Sequence, residues 1–395
     1  AADRGRAAED DGGLFRLDDL VHRLDVRLGH VGFKRGVVHD DHAVRAVARE
    51  LFGQVGHLVA QQDRRHLGAE VGGELFALCR PIERGTICMR EPEKCCGVIP
   101  AFYACYDDAG EVSPERVRAL AEHLIRKGVK GVYVGGSSGE CIYQSVDDRK
   151  RTLENVMAVA KGRITVIAHV ACNNTRDSVE LARHAESLGV DAIAAIPPIY
   201  FHLPEYAIAD YWNAMSNAAP NTDFVIYNIP QLAGVALTMS LFEEMRKNPR
   251  VAAVKNSSMP VQDIQMFKAA GGEGFVVFNG PDEQFVGGRT MGADGGIGGT
   301  YAVMPELFLK ADALLRTGEV EKACAVQYDI DAIIYAMCAC RGNLYAVMKE
   351  ILRLREGLIL GGVRAPLPGL GPEDMPQVEK CAAMIDAAIE RAAAL

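Results

Sequence analysis

The sequence predicts a closed parallel (β/α)8 barrel of the TIM type with a C-terminal helical extension. Two observations carry this. From Met89 onward, eight short apolar, β-branched runs alternate with longer stretches of helical periodicity, the pattern of strands that return through helices to pair in parallel. The residues best suited to chemistry fall at the far ends of those runs or in the loops after them, the face where such barrels build active sites. A third observation weakens the main competitor. An open doubly wound sheet carries a glycine-rich phosphate fingerprint after its first strand, and none follows the first run here.

Taken in order, the expected strands cover 97–105, 131–136, 163–171, 192–198, 223–230, 251–258, 275–282 and 295–302. Ser113 offers an N-cap and Pro114 a first helical residue, so a helix starts there and stops at Lys127-Gly128. Ser145 opens the next, closed by Lys161-Gly162; Asn174 opens a third, closed by Leu188-Gly189. After Pro305 only helical patterns remain, over 319–340, 344–360 and near 375–394. The barrel is therefore assigned to 89–304 and the helical region to 305–395.

Residues 1–88 differ in composition. They hold twelve Arg against one Lys, six of the ten His, and no Ser, Asn, Tyr or Trp. Only 40–52 has amphipathic helical spacing. The segment reads as an atypical extension, not native or poorly ordered, with Met89 as the expected biological start. An Arg/His-rich nucleic-acid arm is the competing reading, weakened by the acidic residues among the arginines.

The net charge of -9 over 395 residues argues against a nucleic-acid or anionic-membrane partner. Apolar stretches fall short of the roughly 18 residues that span a bilayer. The N-terminus lacks the basic-then-apolar pattern of a secretory signal. Eleven scattered cysteines, with no CxxC pair, read as free thiols of a cytoplasmic protein without a zinc site.

Lys255 ends the apolar run Val251-Ala-Ala-Val. Burial there disfavours an ammonium ion and frees the amine as a nucleophile. Tyr227 ends the preceding run and can move protons. Gly135-Gly-Ser-Ser-Gly-Glu140 ends an earlier one. Its glycines allow amide N–H groups to converge, and Ser137 and Ser138 add hydroxyls, which together suit a carboxylate. Amine, phenol and anion cradle together point to Schiff-base chemistry on a 2-oxo acid. Glu140 reads as an anchor of its loop, and His169 and His184 as structural. Gly280-Pro-Asp282-Glu283 offers two carboxylates, suited to a polyhydroxylated substrate or to a solvated loop. The glycine-rich stretch 292–299 resembles a phosphate loop; alternatively its glycines let the last strand approach the substrate.

From about Gly97 to the C-terminus the chain resembles the N-acetylneuraminate lyase / dihydrodipicolinate synthase family of Schiff-base barrels. The resemblance rests on GGSSGE (135–140), AHVAC (168–172), YNIP (227–230), Val254-Lys255, NGPDE (279–283) and GADGGIGGTY (292–301), in the family's order. It implies that Lys255 forms the imine, that Tyr227 relays protons and that Ser137 and Ser138 hold a pyruvyl carboxylate. Tyr200, in Pro197-Pro-Ile-Tyr, matches a catalytic tyrosine lent to a neighbouring subunit, which implies a homotetramer. Three features resemble the sialic-acid branch. Leu232 stands where dihydrodipicolinate synthases carry a carboxylate-binding arginine. Asp282 and Glu283, in the loop opened by Gly280, match residues that bind sugar hydroxyls. Ser257 matches a substrate-contacting hydroxyl. Gly299 departs from the pattern, since the lyases carry a substrate-contacting serine there. The implied reaction is reversible cleavage of N-acetylneuraminate (sialic acid) to pyruvate and N-acetylmannosamine, without metal or organic cofactor. A related pyruvate-dependent aldolase or dehydratase on another 2-oxo sugar acid is the alternative, followed by a 4-hydroxy-tetrahydrodipicolinate synthase.

Overall fold

The structure, a computed structural model, describes residues 92–395. The extension expected at 1–88 and the start expected at Met89 lie outside the described residues.

Eight parallel strands form one sheet: β1 (Val98–Pro100), β2 (Gly131–Val134), β3 (Thr165–His169), β4 (Ala192–Ala195), β5 (Asp223–Asn228), β6 (Val251–Asn256), β7 (Val276–Asn279) and β8 (Gly295–Gly298). Their spatial order is β1-β8-β7-β6-β5-β4-β3-β2. The barrel closes just past β1, where Ala101 bridges Tyr133 in parallel. The Phe102 amide donates to the Tyr133 carbonyl at 2.9 Å, and the Lys130 amide to that of Val98 at 2.9 Å.

Strand β1 is shorter than the expected run 97–105. Pro100 brings no N–H to a ladder, and the chain then turns so that Tyr106 pairs antiparallel with Val112. Residues 101–105 are apolar because they are buried, but as a covered loop. The stretch 292–299 supplies β8 and makes no phosphate loop. A Cβ at Gly295 would lie 2.5 Å from the Gly97 carbonyl oxygen, and one at Gly298 would lie 2.2 Å from Asp282 Oδ1. Close approach demands these glycines.

Helices follow the strands: α1 (Pro114–Lys127), α2 (Val146–Ala160), α3 (Thr175–Leu188), α4 (Glu205–Ala218), the turn α5 (Pro230–Ala233), α6 (Met239–Met245), α7 (Gln262–Gly271), α8 (Phe285–Thr290) and α9 (Pro305–Arg316). Their ends obey local chemistry. Ser113 Oγ accepts from the Arg116 amide at 3.3 Å, and Gly128 stops α1 with φ 82. Ser145 and Asp148 form a reciprocal capping box on α2. Asn174 caps α3, and Gly189 ends it at φ 78. Each such cap contributes about 1 kcal/mol. Helix α9, the first of the helices expected after Pro305, packs on β1 and α1 and so stands in the ring around the barrel. The additions proper are α10 (Val320–Cys338), α11 (Leu344–Glu356) and α12 (Met375–Ala393).

The core has two layers. Between sheet and helices lie residues such as Leu120, Val156, Trp212, Phe242 and Phe308. Inside the barrel are Ile99, Tyr133, Ile167, Val225, Tyr227, Phe278 and Ile297. This inner plug fills the barrel and confines open space to its ends. Helix α10 packs on the turn Asp282–Gln284, and α11 brings Tyr345 and Met348 into the lining of the mouth. Lys349, also on α11, pairs with Glu140 at 2.7 Å. Glu140 further accepts from Tyr106 Oη at 3.2 Å and the Arg364 amide at 2.8 Å, so it anchors the 135–140 loop to the C-terminal region. Among the described residues no helix is long and apolar enough to cross a membrane.

Candidate active site

A cavity of about 370 Å³ opens at the C-terminal ends of the strands. Its lining contains Ser137, Ser138, Tyr227, Lys255, Ser257, Gly280, Asp282, Glu283 and Gly299. Nine of the ten residues singled out in the sequence are thus brought together. The tenth, Tyr200, is not. It sits after β4 with 85% of its surface exposed, at φ 82, edge-on to Phe201, itself exposed, with ring centroids 4.9 Å apart.

Lys255 is the penultimate residue of β6 and the register partner of Tyr227 on β5. Only 4% of it is exposed. Burial pushes its amine down to about 7, against the pull of the Asp282 carboxylate. Its Nζ rests 3.9 Å from the Tyr227 ring centroid and 4.3 Å from that of Tyr133. Burial pushes the Tyr227 phenol up to about 12, while the nearby Ser137 and Ser257 hydroxyls act the other way. The tyrosine is therefore a phenol at neutral pH, with hydroxyl groups through which a proton can pass.

The Gly/Ser loop follows β2. Gly135 takes φ 76, and a short 3-10 turn, Ser137–Gly139, starts at Gly136. The amides of Gly139, Glu140 and Cys141 are spent inside the turn. Those of Ser137 and Ser138 come at its start, where a helical turn leaves its donors unused. Ser138 is buried at 5% exposure.

Asp282 is held by Thr300, whose amide and Oγ1 both donate to Oδ2 at 2.6 Å. Burial raises its carboxyl to about 6, with the Thr300 bonds opposing. Gly280 donates its amide to the Asn256 carbonyl at 2.8 Å, and its small size is what the wall requires. A Cβ there would fall 1.9 Å from Ser257 Oγ. A Cβ at Gly299 would lie 3.1 Å from Ser138 Oγ, so the glycine leaves room for that hydroxyl. Tyr103 Oη donates to the Gly299 carbonyl at 2.7 Å and fixes the strand end.

His169 and His184 do not line this cavity, although the His169 ring packs edge-on to Tyr227 with centroids 6.1 Å apart. His169 Nδ1 is 2.9 Å from the Gly135 carbonyl, and burial holds the ring well below its ordinary value. His184 pairs with Glu154 at 2.9 Å.

Three lining or supporting residues escaped sequence reasoning. Thr300 was hidden behind a glycine run. Tyr345 lies on α11, whose approach to the mouth is tertiary. Tyr133 lies on β2, and strand alternation alone would have flagged it as inward-facing.

A barrel whose mouth carries a buried amine, a phenol and a Gly/Ser loop defines a class, and the comparisons agree with it. The model of the dihydrodipicolinate synthetase family matches residues 94–385, and the chain belongs to that family. Among its relatives, an N-acetylneuraminate lyase of Mediterraneibacter gnavus is 69% identical over 297 residues, covering 75% of this chain and 94% of that protein. One from Salmonella agona is 33% identical over 286 residues, covering 72% and 95%. The solved structure of wild-type Ruminococcus gnavus sialic acid aldolase matches with a TM-score of 0.75 at 68% identity, covering 75% of this chain and 99% of that one.

Proposed function

We propose that this chain is a class I aldolase, a carbon–carbon lyase that cleaves N-acetylneuraminate reversibly to pyruvate and N-acetylmannosamine. The single observation that carries the reading is the buried Lys255 amine, held near 7 beside the Tyr227 phenol. The 69% identity to a lyase of that name supports the substrate. A solved variant of the Ruminococcus gnavus aldolase altered at its catalytic lysine supports the role of a lysine.

The free amine of Lys255 attacks the C2 ketone of the open-chain sugar acid, whose carboxylate rests on Ser137 and Ser138. The resulting carbinolamine loses its hydroxyl as water, taking the proton of Tyr227, and leaves an iminium beside a phenolate. The phenolate then takes the C4 hydroxyl proton as the C3–C4 bond breaks. The bond's electrons pass into the iminium and form an enamine, and the aldehyde of N-acetylmannosamine departs. Tyr227 returns its proton to C3, and water hydrolyses the imine to pyruvate and free Lys255. The buried lysine supplies the electron sink, so the sequence needs no metal or organic cofactor. Asp282, Glu283, Ser257 and the carbonyl of Gly280 face the sugar hydroxyls, and Gly299 widens the wall beside them.

Leu232, 65% exposed at the cavity rim, speaks against a second substrate carboxylate and so against a dihydrodipicolinate synthase. Tyr200 completes the catalytic set from a neighbouring copy in a homotetramer. Its exposure beside Phe201 supports this, as does a cavity of about 580 Å³ that shares Ser137, Leu232 and Tyr345 with the catalytic one. The enzyme acts in the cytoplasm, on a small molecule.

Pyruvate release from N-acetylneuraminate, coupled to lactate dehydrogenase, tests the reaction. Release that disappears in Lys255→Ala is expected. Release that persists in Lys255→Ala would overturn the imine mechanism, and no release from the unaltered protein would move the assignment to another 2-oxo sugar acid.

A further inference from the structure

We propose that Tyr133 is a catalytic residue acting through its ring face, a wall of π-electron density that stabilises the iminium nitrogen formed on Lys255. This rests on the reading of Lys255 given above.

The imine step turns a neutral amine into a cation: amine plus ketone plus one proton gives iminium plus water. A cation made in a buried site needs a compensating field. The carboxylate that acts on Lys255 most strongly is Asp282, and its Oδ2 is already committed to two Thr300 donors. What stands against Nζ is aromatic. The Tyr133 and Tyr227 rings meet at 80° with centroids 5.7 Å apart, and Nζ nests in the corner between them at 4.3 and 3.9 Å. These distances lie inside the roughly 6 Å over which a ring quadrupole attracts a cation.

Two further observations assign the work to the ring of Tyr133 and not to its hydroxyl. The residue is fully buried, and its Oη has no hydrogen-bond partner among the described residues. With no partner for that hydroxyl, it is the ring face that meets Nζ, at 4.3 Å. The backbone is also shaped around that ring. A Cβ at Gly136 would lie 2.7 Å from Tyr133 Cε1, so the loop that cradles the carboxylate is itself stripped to seat Tyr133.

The test measures imine formation directly. The full chain is incubated with pyruvate above the titration of its amine, reduced with borohydride, and the modified fraction is read by mass spectrometry. Position 133 carries in turn Tyr, Phe, and singly, doubly and fully fluorinated phenylalanine, which keep the ring's shape while draining its face of charge. Tyr133→Phe is expected to trap within about twofold of the unaltered protein. The fluorinated series is expected to weaken the imine stepwise, by on the order of tenfold across the set. A flat series, with strong trapping throughout, would overturn the proposal. So would loss of trapping in Tyr133→Phe, because the hydroxyl would then be the working group. No trapping in the unaltered protein would instead overturn the reading of Lys255 itself.

Discussion

Two lysines of this protein are equally hidden and oppositely used. Lys255 and Lys349 are 4% and 2% exposed, and burial lowers the amine of both. Lys349 lies 2.7 Å from Glu140 and donates to the Gly362 carbonyl at 2.6 Å, so its protons are spoken for and its charge is matched. Lys255 has aromatic faces and an open cavity beside it. The difference teaches that depth alone does not make a lysine a nucleophile. What does is depth without a dedicated anion, next to space for a ketone.

The largest expected effect removes the reactive member. Lys255→Met should lower pyruvate release by at least about 10³-fold, since no other group replaces the electron sink. Its thermal midpoint should not fall, because an unpaired buried amine is exchanged for an apolar chain of similar length. Calorimetry beside the coupled assay checks both, and a large stability loss would show that Lys255 has a structural partner after all.

The mirror substitution should do the reverse. Lys349→Met strands Glu140 as an uncompensated buried carboxylate, at a cost of about 3–5 kcal/mol. Denaturant titration should show this loss. Because Glu140 ties down the loop that carries Ser137 and Ser138, KM should rise more than kcat falls. Equal stability of the two variants would erase the distinction between the lysines.

How much of this was legible follows the same division. Lys255 and Tyr227 could be read because each sits on a strand whose apolar neighbours announce burial, and strand ends of such a barrel converge on one face. The Gly/Ser loop and Asp282 could be read for the same reason. Lys349 could not: it sits on a helix beyond the barrel, and nothing in 344–360 says which side meets Glu140. Tyr345 was missed on the same helix. The 97–105 run misled because a buried loop and a buried strand have the same composition. The 292–299 run was ambiguous because glycine records the absence of space without saying what fills it, here Asp282, Tyr301 and the Gly97 backbone.

Titration separates the lysines with a smaller effect. Imine trapping should rise with pH through about 7, as Lys255 loses its proton. Stability should move the same way. The folded value lies below the ordinary lysine value of 10.5, so between about 7 and 10.5 the unfolded chain binds the extra proton and unfolding becomes harder as pH rises. One such group gives a slope of at most about 1.4 kcal/mol per pH unit. Comparing pH-dependent denaturation of the unaltered protein with Lys255→Met isolates it. An unchanged slope would mean that the amine titrates near its ordinary value.

The smallest expected effect lies on the wall facing Lys255. Gly299 has φ -71, which any residue adopts, so Gly299→Ser meets no backbone barrier. Its Cβ meets Ser138 Oγ at 3.1 Å, a tight contact that a turn of the Ser138 hydroxyl relieves. That turn takes a donor from the carboxylate cradle while the new hydroxyl adds one on the sugar side. The two changes oppose each other. KM for N-acetylneuraminate should therefore shift by only about threefold, roughly one neutral hydrogen bond in water. Trapping by pyruvate alone, which feels only the cradle, should weaken by a similar factor. A variant that gains on the sugar and loses nothing on pyruvate would show that Ser138 does not hold the carboxylate, and would leave that task to Ser137 and the turn's amides.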